Sequence, residues 1–261
     1  MANTLFPNHV LANEVEDQYN SRLDLMTFCT IDNSLVGTPG MKKKINVYSA
    51  TDGTQKLAMG EGNTKSIEAS YVTKEYEILL AQNRFEYYDE EQMTDPLCVQ
   101  TGMRHAGVDL FNTVQADIFA EFNKASKIIN ATAFGFDAFV DAVAGMNLEK
   151  LDGVEVFAFV ANEDMAALRK ALKDDLKYVE SFVRTGYIGT VGGVNLYIKK
   201  DAVAGTICGG TREAVTLFNK KGIEVEQQRE ANTRHNEIYT RKFYLPALTD
   251  DTKAFKIVKT A

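Results

Sequence analysis

The chain has 261 residues, 45% of them hydrophobic and 25% charged, with only four prolines. This balance fits one large or two smaller globular domains and excludes a disordered or fibrous chain. The formal net charge is -7 and the basic residues form no stripe, so the electrostatic footprint of a sequence-reading nucleic-acid binder is missing.

The opening MANTLFPNHVLANEVEDQYN has no basic region followed by an apolar run. No segment approaches the roughly 20 apolar residues that span a bilayer, so neither a secretory leader nor a membrane span is expected. From Asn8, the positions Leu11, Val15, Tyr19, Leu23 and Met26 recur every three to four residues and predict an amphipathic helix to about Phe28. After Gly37, Pro39 and Gly40 comes KKKINVYSA, a strand with Ile45 and Val47 on one face. The polar, glycine-spaced TDGTQKLAMGEGNTKS follows, and then IEASYVTKEYEILLAQNRFEYY, with Tyr76, Ile78 and Leu80 at strand period. Two extended arms joined by a tip this long are expected to be disordered or shaped by something outside their own fold.

Asp95 and Pro96 predict a helix start, an acceptor at N-cap with proline at the first helical position. Met103, Phe111, Val114, Ile118 and Phe122 continue as one stripe to about Ser126, a helix about 45 Å long at about 1.5 Å per residue. Gly102 and Gly107 weaken it locally. Beyond Gly135 the texture becomes α/β: a helix through Phe136, Phe139, Val140 and Val143, then the buried strand VEVFAFV. Helical NEDMAALRKALKDDL follows, with Met165, Leu168, Leu172 and Leu176 on one side and Asn162 as cap. From Tyr187 nearly everything reads as strand: YIGTV, VNLYI, VAGTIC, AVTLF, IEVEQ, EIYTRKFYL and FKIVK.

Candidate chemistry is sparse. In GYIGTVGGVNLYI, Gly186, Gly189, Gly192 and Gly193 resemble a phosphate loop in residue type alone. A dinucleotide or phosphate loop needs a helix N-terminus after the glycines, or G-K-[ST]. Here another strand follows, so the stretch reads as a tight glycine turn. Cys29, Cys98 and Cys208 lack metal or redox spacing and read as buried thiols. His105 and Asp109 stand one helical turn apart, but two ligands fall short of a zinc site. Asp89-Glu90-Glu91, Asp174-Asp175 and Asp250-Asp251 read as solvated element ends, and Lys42-Lys43-Lys44 as a guard on an edge strand. No catalytic, cofactor-binding or metal residue is expected.

The order of parts resembles the major capsid proteins of tailed bacteriophages, the HK-ninety-seven-type α+β fold. The parts are an amphipathic arm, a long two-armed loop, one very long helix, an α/β block, and a return through long strands. The run from GYIGTVGGVNLYIKKDAVAGTICGG through AVTLF and IEVEQ to EIYTRKFYLPAL carries the resemblance best. It implies an N-terminal arm over 1–35 and a first P-domain part over 36–132. That part includes the E-loop at about 48–72 and the spine helix at about 96–126. An A-domain over 133–209 and returning P- and A-domain strands over 210–261 complete the assignment.

The function implied is a major capsid subunit. It self-assembles as hexamers and pentamers into an icosahedral head shell enclosing double-stranded DNA without reading its sequence. No cofactor and no membrane are involved. Portal and scaffolding proteins are implied partners, since no long charged N-terminal extension precedes the arm or else it has been removed. The expected location is the virion capsid, assembled in the bacterial host cytoplasm. Lys56, Leu57, Met59 and Lys65 would lie at the E-loop tip as assembly residues. Some relatives crosslink an E-loop lysine to a P-domain asparagine with a glutamate nearby. Lys56 or Lys65 and Asn236 occupy such positions, but the glutamate's place reads Lys242-Phe243-Tyr244. Two other readings stand beside this one: an encapsulin-type bacterial nanocompartment shell protein, and an α/β nucleotide-binding enzyme using the glycine turn.

Overall fold

The structure is a computed structural model that describes residues 24–146, 148, 154–173 and 189–260. Its elements, in chain order, begin with β1 (Thr30–Asp32), β2 (Lys42–Ala50), β3 (Ala69–Glu77), β4 (Leu79–Tyr88), α1 (Asp89–Thr94) and α2 (Cys98–Phe122). Next come β5 (Ile128–Ala131), α3 (Phe136–Met146), β6 (Val156–Val160), α4 (Asn162–Ala171), β7 (Thr190–Val191) and β8 (Val194–Ile198). The chain closes with β9 (Thr206–Thr211), β10 (Val215–Glu230), β11 (His235–Leu248) and β12 (Ala254–Lys259). The strands form a six-stranded sheet in the order β5-β12-β9-β6-β8-β7, a four-stranded sheet in the order β1-β10-β11-β4, and the separate pair β2-β3.

Strand β6 shows how one short sequence joins the two halves. All five residues of VFAFV are buried, and successive side chains point to opposite faces of a strand. Val156, Ala158 and Val160 enter a core with Phe139 and Val143 of α3 and Met165 and Leu168 of α4. Phe157 and Phe159 enter another, with Val114, Ile118 and Phe122 of α2 and with Leu25. There Phe122 sits edge-on to Phe157 and Phe159 at 5.6 and 5.5 Å between ring centroids. Phe28 meets the same two rings at 4.8 and 5.4 Å. Each such ring removed from water contributes about 1.5–3 kcal/mol.

Helix α2 also packs against β4 and β11. Ala106, Leu110, Val114, Ile118 and Phe122 are buried along it, so the apolar stripe is wider in small residues than its large side chains suggest. Gly102 is needed rather than tolerated: a Cβ there would stand 2.3 Å from the Phe85 ring. The helix begins two residues after Pro96. Asp95 ends α1 instead, and its carboxylate and carbonyl accept from Leu97 N at 2.9 Å and Cys98 N at 3.1 Å, closing a turn through the proline. At 25 residues its length is about 37 Å at about 1.5 Å per residue.

Other expectations are also adjusted. The arm helix from Asn8 to Phe28 lies outside the described residues up to Leu23, and its last turn, Leu25–Phe28, is a 3-10 turn capped by Asp24. Gln115 of α2 holds that turn, accepting from Leu25 N at 2.6 Å and donating to Asp24 Oδ1 at 2.8 Å. Helix α4 ends at Ala171 with Ala161 as its N-cap, so Asn162 is its first residue and not its cap; Leu176 lies outside the described residues. AVTLF and IEVEQ form one continuous strand, β10, which absorbs Lys220, Lys221 and Gly222 through register shifts between Asn219 and Glu224.

Candidate assembly surface

The segment expected to be an E-loop is a two-stranded ribbon, β2 and β3, with a long tip between them. Strands β2 and β3 pair from Lys42 opposite Glu77 to Ala50 opposite Ala69. The lysine run thus lies on an edge strand, as expected, with β3 on one side only. Lys42 and Lys44 meet Glu77 and Glu75 across the ladder at 3.2 and 2.6 Å, and Lys43 lies over the Phe218 ring at 4.9 Å. The Lys44 hydrogen bond holds the Glu75 carboxyl below its ordinary value. At the base, Ile45 and Tyr76 pack on a cluster of Leu35, Ile78, Phe218, Leu245 and Ala247. Tyr76 Oη donates to Leu248 O at 3.1 Å.

The tip is shaped by its own polar groups. Thr51 N donates to Glu68 O and Glu68 N to Thr51 Oγ1, both at 3.0 Å. Asn63 Nδ2 reaches Gly53 O at 3.1 Å, and Lys65 N reaches Asn63 Oδ1 at 2.8 Å. Lys56, Leu57, Met59 and Lys65 are all exposed, and neither lysine pairs with a carboxylate among the described residues. Met59 is fully exposed, at 106%, and Ile67, Tyr71 and Val72 are each more than 60% exposed. The ribbon and its tip thus leave a set of apolar side chains open to solvent.

Asn236 is not on that surface. It is buried at 3% exposure, and its Nδ2 donates to Asp89 Oδ1 at 2.7 Å. Arg229 Nη2 takes the other oxygen at 2.6 Å. These hydrogen bonds, from Arg229 first and then Asn236, hold the Asp89 carboxyl below its ordinary value. A lysine from outside would have to displace this bond to reach the amide. Asp89 and Asn236 come together only because Asn236 pairs with Tyr87 across β4 and β11, which sequence spacing does not reveal.

The glycine stretch is a two-residue hairpin. Val191 pairs with Val194, and Gly192 and Gly193 between them have φ of 57° and 83°. That is the doubly left-handed turn for which glycine is suited. A Cβ on Gly192 would come within 3.2 Å of the Val140 backbone nitrogen. Strand β8 follows with no helix N-terminus to bind phosphate; Gly186 lies outside the described residues. The three cysteines are free and buried. Burial pushes the Cys29 thiol up to about 11 and the Cys208 thiol up to about 12, so both stay protonated and unreactive at neutral pH. No described helix is long and apolar enough to cross a membrane.

Solved structures share this fold. The capsid of a native GTA particle matches with a TM-score of 0.70 at 14% identity, over 91% of this chain and 90% of that one. The capsid of the cyanophage P-SCSP1u matches with 0.69 at 11% identity, over 88% and 86%. The mature capsid of bacteriophage PhiM1 matches with 0.67 at 9% identity, over 99% and 90%. The chain thus has the HK-ninety-seven-type capsid fold. No protein-family model matches it. In sequence it is 24% identical to the major capsid protein of Staphylococcus phage phiMR11, across 99% of this chain and 94% of that protein.

Proposed function

We infer that this chain is a phage-type major capsid protein, a structural subunit that self-assembles into an icosahedral shell and carries no catalytic role. The observation that carries this reading is the end-to-end alignment with the phiMR11 major capsid protein, on a chain whose fold matches capsids over nearly its whole length. The exposed ribbon tip supports it: Leu57, Met59, Lys56 and Lys65 gain partners when they lie across a neighbouring copy. In the same reading, 1–35 is the arm, 36–132 with 210–261 supplies most of the P-domain, and 133–209 is the A-domain whose Gly192 turn joins capsomer contacts. The subunits form hexamers and pentamers in the host cytoplasm and then a virion head, with scaffolding and portal proteins as partners. The shell encloses double-stranded DNA, and a net charge of -7 suits a wall along which a genome slides without sticking.

Deleting residues 54–64 tests the assembly role. The ribbon's base is held by Tyr76 and Ile45 and lies outside the deletion, so the subunit keeps its circular dichroism and melting transition. Sedimentation is expected to show capsomer-sized species in place of shells. Normal particles from the deleted chain contradict the role given to the tip.

A further inference from the structure

Strands β4 and β11 run antiparallel with Glu86 opposite Glu237 and Tyr88 opposite His235. Residues opposite one another and two apart share a face. Since Phe85, Tyr87 and Ile238 pack toward α2 with Cys98, Glu86, Tyr88, His235 and Glu237 stand together on the face turned away from that helix. One nitrogen or oxygen from each of Glu86, His235 and Glu237 falls within 4.8 Å of the others. The Tyr88 ring backs the imidazole at 4.9 Å between centroids, and the histidine side chain is only 14% exposed.

His235 Nε2 is buried and makes no hydrogen bond, although it lies 3.2 Å from Glu86 Oε2. The two atoms are close but not aligned for donation. Ligands about 2.0–2.2 Å from a tetrahedral zinc ion stand about 3.3–3.6 Å apart, close to the spacing of this pair. Glu237 Oε1 lies 3.6 Å from Nδ1 and turns toward Nε2 to share one ion there, since an imidazole gives a single ion one nitrogen. Charge points the same way. Arg84 reaches both carboxylates, contacting Glu86 and lying 3.1 Å from Glu237 Oε1. Two carboxylates thus face this one guanidinium. Arg84 is 46% exposed, so its exposed ion pairs are weak and the side chain is free to swing into solvent.

We propose that Glu86, His235 and Glu237 form a divalent transition-metal site of the mixed imidazole and carboxylate type that zinc favours. Water completes the coordination, and the ion takes the place that Arg84 fills between the carboxylates. A bound ion staples β4 to the first residues of β11, beside the turn that ends the long β10–β11 hairpin.

The test is calorimetric titration of the full-length protein with zinc chloride in chelator-free buffer, with melting curves alongside. The expected result is one saturable zinc ion per subunit and a raised melting temperature. Affinity falls about tenfold or more in His235→Gln and in Glu86→Gln and is unchanged in His105→Gln. Arg84→Gln removes the competing cation and tightens binding, a gain that loss of folding cannot imitate. Equal zinc binding in His235→Gln, weaker binding in Arg84→Gln, or no saturable binding in either the wild type or Arg84→Gln overturns the proposal.

Discussion

Gly102 and Gly107 lie on the same helix, one and a half turns apart, and by propensity alone the two are equivalent. Replacing either by alanine relieves the helix of glycine's entropic cost, about 0.5–1 kcal/mol. Their surroundings differ. An added Cβ at Gly107 meets nothing within 4 Å, whereas at Gly102 it falls 2.3, 2.4 and 2.7 Å from three atoms of the Phe85 ring. Phe85 is stacked on Tyr87 at 5.8 Å and packs with Cys98, Ile238 and Met103, so the ring has little room to retreat. Overpacking of this kind costs about 1–3 kcal/mol. Gly107→Ala is therefore expected to stabilise by up to about 1 kcal/mol, and Gly102→Ala to destabilise by up to about 2 kcal/mol after the propensity gain is subtracted. Urea denaturation of unassembled subunits, followed by far-ultraviolet circular dichroism, reads both. Adding Phe85→Leu to Gly102→Ala is expected to recover part of the loss. Stabilisation by Gly102→Ala, equal to that by Gly107→Ala, refutes the claim that Gly102 is a packing requirement.

Asp89→Asn should lower the melting temperature at neutral pH. Because the native carboxyl sits below its ordinary value, its stabilisation is complete above the unfolded value of about 3.9 and disappears as pH falls through the native one. The gap between wild type and variant is thus expected to close on acidification, and a gap that persists unchanged to about pH 3 contradicts the linkage. Gly193→Ala places a Cβ in a left-handed conformation and is expected to cost about 1–2 kcal/mol. Gly192→Ala should cost more, because it also presses on Val140. Equal melting temperatures for both variants and the wild type would show that the turn is not under this constraint.

Much of the fold was legible in residue pattern. The continuous apolar run VFAFV announced a strand buried on both faces, and KKKINVYSA with its glycine-spaced sequel announced the ribbon. The signals failed where tertiary pairing decides. Strands β1 and β5, three and four residues long, are parallel edge strands too short to display an alternation. Lys220-Lys221-Gly222 broke the pattern of β10 on paper, while the chain accommodates them as bulges. Gly102 looked like a weak point because its partner, Phe85, is distant in sequence. The candidate surface divides in the same way. The tip residues Lys56, Leu57, Met59 and Lys65 could be read from a polar loop too long for a hairpin. The burial of Asn236 against Asp89, and the meeting of Glu86 with His235, depend on a β4–β11 register that no local motif encodes.

The shell-forming claim is tested most directly by electron microscopy of the purified wild-type chain after expression in bacteria. Closed particles with icosahedral symmetry, built from fivefold and sixfold clusters of the subunit, are the predicted result. Small soluble species that never close, with residues 54–64 intact, would contradict it.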